Sequence, residues 1–301
     1  MASVREIRRK IKSVKSTQQI TKAMKMVSAA RMRRAQSAIL SSRPFAQRID
    51  AAVQDLARLE VHADRAAGRP VQIHHYFDRR ATGAVGLLLV SADKGLCGGF
   101  NTNLLRHTVG WLKARRAEGK KVVVSVVGRK GRDLLARLKD EGIEKPSELV
   151  GIFPKVTFAH AELSLKPLLE RFESGELESI DVITTEFHSV ISQKVSEKRL
   201  VPVPEPKVGP TDDAPAEFKF EPGREKLLAA LLPRHAKAQA YRALLESQAA
   251  ELAARMNAMD SASKNAAELI SGLTLWMNRT RQAIITRELM EIVSGAEALA
   301  Q

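Results

Sequence analysis

Two stretches of the chain carry apolar or small residues at alternating spacings of four and three. Toward the C-terminus these are Leu252, Met256, Met259, Ser263, Ala266, Ile270, Leu273, Met277, Thr280 and Ile284. Toward the N-terminus they are Ile7, Ile11, Val14, Gln18, Thr21, Lys25, Ser28, Met32, Ala35 and Ile39. Such a repeat is the seam of a left-handed coiled coil. Residues 3–43 and 234–271 hold neither Gly nor Pro, so composition breaks neither helix. The simplest pairing is an antiparallel coiled coil within one chain, formed by residues near 3–59 and 224–295. Sixty helical residues reach roughly 90 Å, more than a compact domain needs, which suits a shaft, a tether or a lever. The N-terminal seam is polar in its middle, and polar seam positions cost stability but fix register.

Helix boundaries follow from local chemistry. Ser3 with Glu6 has the spacing of a capping box. Pro44 is expected to kink the first helix or end a segment, with a continuation to about Leu59, and Gly68 and Pro70 mark a loop. Between the long helices the pattern changes to alternating strands and helices. Residues 86–91, 121–127 and 179–187 read as buried strands. Residues 101–118, 132–141 and 158–172 read as helices, the last interrupted at Pro167. Continuous β-branched runs alternating with helices indicate a parallel sheet covered on both faces, a small Rossmann-like α/β domain. Residues 190–203 read as an extended hairpin arm. Six of the twelve prolines fall within 202–222, a linker in which 218–220 reads as a short strand. A short helix over 227–232 ends before Pro233. The expected division is a helix over 1–60, an α/β domain with its Pro-rich linker over 61–222, and a helix over 223–301.

Charge sharpens this picture. Net charge is +15, yet residues 1–48 alone hold thirteen Lys or Arg against the single Glu6. Residues 221–301 are nearly balanced. So one-sided a helix predicts an acidic partner: nucleic acid, anionic lipid or an acidic protein surface. An Arg-rich, acid-poor N-terminus also resembles an organellar transit peptide, but the unbroken seam from Ile7 to Ile39 marks mature structure. No secretory signal and no run of eighteen apolar residues is present, so no membrane span is expected. Aromatics at 4% fit long helices. The only cysteine, Cys97, excludes an internal disulfide and fits a reducing compartment.

The chain offers no catalytic constellation. Lys94-Gly95-Leu96-Cys97-Gly98-Gly99 sits where a dinucleotide fold places its phosphate turn, but it is neither GxGxxG nor a phosphate loop. Its glycines are expected to serve a tight turn and close helix–sheet packing. His74 and His75, read as strand neighbours, would point to opposite faces and could not chelate one metal. The expectation is no catalytic, cofactor-binding or metal-binding residue. An α/β enzyme with a helical appendage therefore lacks its cofactor loop. A basic coiled-coil nucleic-acid-binding protein remains an alternative, although no aromatic platform accompanies the charge.

Several blocks resemble the gamma subunit of F-type ATP synthases. They are Ile7-Arg8-Arg9-Lys10-Ile11, Thr17 to Val27 (TQQITKAMKMV), Ser42-Arg43-Pro44-Phe45, Ser91 to Asn101 (SADKGLCGGFN), Tyr241 to Ser247, Ala254 to Met259, and Asn278 to Gly295. The likeness covers start, middle and end. Two departures stand out: Arg287 replaces a common Gln, and the two-cysteine regulatory insert of chloroplast members is missing. The resemblance implies a central rotor stalk, one copy per complex, inside a ring of alpha and beta subunits. Its α/β foot would lie next to the epsilon subunit and the membrane c-ring. It would be peripheral, on the cytoplasmic face of a bacterial inner membrane, with no cofactor and no nucleic acid. By the same resemblance, Lys22, Met24, Lys25, Arg281, Gln282 and Glu288 would face the beta subunits.

Overall fold

The computed structural model describes residues 3–138, 142–153, 155–206, 221 and 223–299. The element order is α1 (Val4–Ala66), β1 (Ala84–Val90), α2 (Phe100–Ala117), β2 (Val122–Val127), α3 (Arg129–Arg137), β3 (Ile143–Leu149), α4 (Phe158–Glu173), β4 (Leu177–Phe187), β5 (Gln193–Val201) and α5 (Arg224–Leu299). They form two compact units. One comprises the described parts of Met1–Ala29 and Arg255–Gln301, the other those of Ala30–Ala254. The expected strand over 218–220 lies outside the described residues, as do most of the Pro-rich linker and the end of the helix expected over 132–141.

The larger unit is built on a five-stranded sheet in the order β3-β2-β1-β4-β5. Strands β1 to β4 are parallel, and β5 returns antiparallel to β4 as the expected hairpin arm. The side chains of β1 alternate between two cores. Val85, Leu87 and Leu89 pack with Leu104, Trp111 and Leu112 of α2 and Leu135 of α3. Leu88 and Val90 join Val53 and Leu56 of α1, Leu165 and Phe172 of α4, and Leu232 and Leu244 of α5. Burial on both faces explains why β1 and β2 are continuous apolar runs.

Strand β3 (IEKPSEL) was not expected from the pattern. It is a half-exposed edge strand carrying Pro146, the place where a sheet tolerates proline and charge. One helix end and two prolines correct three further expectations. Helix α1 continues past Pro44, as expected, but runs to Ala66 and not to about Leu59. Helix α4 is continuous through Pro167, and α5 through Pro233. A proline costs its own N–H bond and crowds one carbonyl. Pro44 lies on the exposed side of α1, next to exposed Arg43 and Phe45, where water can take the orphaned carbonyl. The apolar stripe on the other side still has a core to bury in.

The capping box is present: Ser3 N donates to Glu6 Oε2 at 3.0 Å and Glu6 N to Ser3 Oγ at 3.3 Å. Every seam position predicted on α1 and α5 is buried or half-buried. In the larger unit His235 of α5 meets Asp50 of α1, and Arg224 meets Glu60, so the two helices run antiparallel there.

Candidate interface on the paired terminal helices

In the smaller unit α1 and α5 are again antiparallel. Gln18 Nε2 donates to the Ser263 carbonyl at 3.4 Å, and Lys25 Nζ donates to Asp260 Oδ1. Lys264 Nζ sits 3.1 Å from the other carboxylate oxygen. Hydrogen bonds from Lys25 and then Lys264 hold the Asp260 carboxyl below the usual range. Around this polar middle Thr21 and Ser28 are buried, and Thr21 returns its hydroxyl to the Gln18 carbonyl at 3.0 Å. The remaining cations of this part of α1, Arg5, Arg8, Arg9, Lys10, Lys12, Lys15 and Lys22, are exposed. An exposed cationic face beside a buried seam can meet an acidic partner without giving up the helix pairing.

The structure separates the six expected contact residues into two groups. Lys22 is exposed and Met24 half-buried, while Lys25 turns to Asp260. Arg281, Gln282 and Glu288 are exposed, with Arg281 roughly 30 Å beyond Asp260 along α5 at 1.5 Å per residue. Continuing the observed register places the start of α1 opposite the stretch around Met277 to Arg281. Arg281 therefore stands where the pair gives way to single helix. Around and beyond it Leu275, Trp276, Ile285, Leu289, Met290, Ile292 and Val293 are exposed. Sequence reasoning missed Asp260. Its one signal is that it is the sole carboxylate between Leu252 and Ala267.

The glycine turn lies beside a crevice that side chains occupy. In an open α/β sheet ligands sit outside the strand ends where strand order reverses, here between β1 and β4. That place is filled: Ala92, Cys97 and Phe100 pack with Ala250 of α5, with Phe187 and Ala254 against them. The turn is tight, with Leu96 and Gly98 both at positive φ, but open space surrounds the Cβ position of Gly95. The expected close packing occurs instead at Gly128 and Gly131, against Ser91. Gly131 N donates to Ser91 Oγ at 2.7 Å. Asp93 accepts from Arg129 N and Gly151 N, tying together the ends of β1, β2 and β3.

His74 and His75 also depart from expectation. They lie in a turn, not on a strand, and their rings come together at 4.1 Å. Burial and their mutual charge push His74 below its ordinary range, and burial and Arg80 do the same to His75. No cluster of three or more metal-ligating side chains occurs among the described residues.

Comparison with known proteins places this architecture. A family model described as ATP synthase matches residues 3–299. The ATP synthase gamma chain of Anaeromyxobacter sp. (strain Fw109-5) is 46% identical over 299 residues, covering 99% of this chain and 100% of that one. The gamma chain of Elusimicrobium minutum is 42% identical over 304 residues, covering 99% of each. Among solved structures, a chain of the Euglena gracilis mitochondrial ATP synthase (OSCP/F1/c-ring, rotational state 3) has a TM-score of 0.65 at 18% identity. It covers 98% of this chain and 94% of that one. A chain of the Tetrahymena thermophila mitochondrial ATP synthase central stalk/c-ring has a TM-score of 0.58 at 24% identity, covering 81% and 99%. At these identities the structural likenesses show the fold.

Proposed function

The chain belongs to the ATP synthase gamma-chain family, and from that premise we propose how it works as the central rotor stalk. Proton flow through a membrane c-ring turns the sheet-bearing unit. The helix pair carries the rotation into a ring of alpha and beta subunits, where its asymmetry drives each beta subunit through a different conformation. The chemistry belongs to those partner chains, and this chain contributes no catalytic group. The observation that carries the reading is the combination of a cationic exposed face with a helix pairing already satisfied inside the chain.

Lys22 and Met24 on α1, and Arg281, Gln282 and Glu288 on α5, form the surface toward beta. Lys25 lies within the same surface while its ammonium remains on Asp260. The functional division is helix over 1–60, foot domain with linker over 61–222, and helix over 223–301, with epsilon and the c-ring against the foot and one copy per complex. The protein is peripheral on the cytoplasmic face of a bacterial inner membrane; among the described residues no helix is long and apolar enough to cross one. No finding favours the nucleic-acid reading. The test is a pull-down of the tagged chain from native membranes. Recovery of alpha, beta and epsilon subunits together with the c-ring is expected, and their absence overturns the assignment.

A further inference from the structure

We propose that Lys25 and Asp260 are a positioning pair that pins the register of the α1–α5 helix pair in its polar middle. Three observations carry this. First, the apolar code is thin here: Gln18, Thr21, Lys25 and Ser28 of α1 face a stretch of α5 whose seam is Met259, Ser263 and Ala266. Slippage by one heptad therefore costs little in apolar packing, and a polar pair must supply the register. Second, no other seam position of α1 offers a cation. Lys25 is the only cation among the ten seam positions of α1, and Asp260 the only carboxylate between Leu252 and Ala267. A heptad slip would set Asp260 opposite Gln18 or Met32, neither of which carries charge. Third, both side chains are part-exposed, at 43% and 32%, so the pair adds little stability but discriminates between registers. Lys264 Nζ lies 3.1 Å from the second oxygen of the same carboxylate and steadies the acceptor from its own helix.

Register decides which side chains of each helix point outward, so the pair acts through Lys22, Met24 and Arg281 and not on a partner directly. The inference concerns pairing within one chain and stands apart from the identity of the partner.

Disulfide trapping in the purified full-length chain reads register. Gln18→Cys with Ser263→Cys reports the observed register. Gln18→Cys with Met256→Cys, or with Ile270→Cys, reports slips of one heptad either way. Lys25→Met, which keeps most of the apolar stem, and Asp260→Asn are each expected to lower the observed-register yield by about threefold, the scale of an exposed ion pair. The slipped yields should rise as it falls. The exchange of Lys25→Asp with Asp260→Lys is expected to restore the original pattern. Unchanged yields in both single variants overturn the proposal. So does failure of the exchanged pair to restore them while far-ultraviolet helicity is intact. Impaired coupling in the assembled complex with an unaltered trapping pattern would mean that the pair acts on the partner and not through register, and would likewise overturn the proposal.

Discussion

Gly128 and Ser91 leave no room for a side chain between them: a Cβ on Gly128 would lie 2.1 Å from the Ser91 carbonyl oxygen. Gly128 also sits at φ 95°, and its N–H donates to the Leu149 carbonyl at 2.8 Å. Strain and clash therefore fall on the point where β1, β2 and β3 end. Gly128→Ala is expected to destabilise the larger unit by about 3 kcal/mol or more. Gly95→Ala, in open space, should cost less than about 0.5 kcal/mol. Urea unfolding of the two variants side by side checks the contrast, and equal midpoints would contradict it.

The His74–His75 ring pair predicts acid sensitivity. Both pKa values are depressed in the folded chain, so folding favours the neutral rings. Above the ordinary imidazole value of 6.5 the pair makes no pH-dependent contribution. As pH falls below it, the unfolded chain binds protons that the folded chain refuses, and stability drops until the folded rings titrate in turn. His74→Gln with His75→Gln is expected to flatten the fall in thermal midpoint between neutral and mildly acid buffer. A slope as steep in the double variant would place the acid sensitivity elsewhere.

Because α5 fills the place where the strand order reverses, the intact chain is expected to bind neither ATP nor NAD with useful affinity. Calorimetric titration of the full chain checks this. Micromolar, heat-producing binding to either nucleotide would revive the enzyme reading.

Arg281→Ala is expected to leave the complex assembled while lowering ATP turnover or coupling roughly two- to fivefold. A guanidinium can grip a carboxylate with two parallel bonds or cap several carbonyls, and alanine can do neither. Met24→Lys adds a cation between Lys22 and Lys25 and makes an acidic contact stickier. Proton pumping should therefore fall more than hydrolysis. ATPase rate beside ATP-driven proton uptake in inverted vesicles measures both. Unchanged ratios with normal assembly would remove these residues from the coupling surface.

The long helices were legible because their burial pattern is written in the 4-3 repeat itself. Leu252, Met259 and Ala266 announce one side of α5 whatever lies against it. Strands β1, β2 and β4 were legible because both their faces are covered. Strand β3 was not, since an edge strand with Pro146 and three charged residues carries no apolar alternation. The prolines misled for the opposite reason: a local rule was overridden by tertiary burial of the rest of the helix. The histidine pair misled because a turn, unlike a strand, can bring adjacent rings together. At the candidate interface the sequence supplied charge but no geometry. That Lys25 spends its ammonium on Asp260 while Lys22 stays exposed depends on a register readable only once both helices are paired.

The exposed apolar side chains from Ile285 to Val293 carry a consequence for the life of the protein before it reaches any assembly. A newly made chain presents Leu289, Met290 and Ile292 to water, the kind of surface that chaperones and proteases recognise and that drives self-association. A chain kept out of its assembly is therefore expected to self-associate or to be degraded faster than an assembled one.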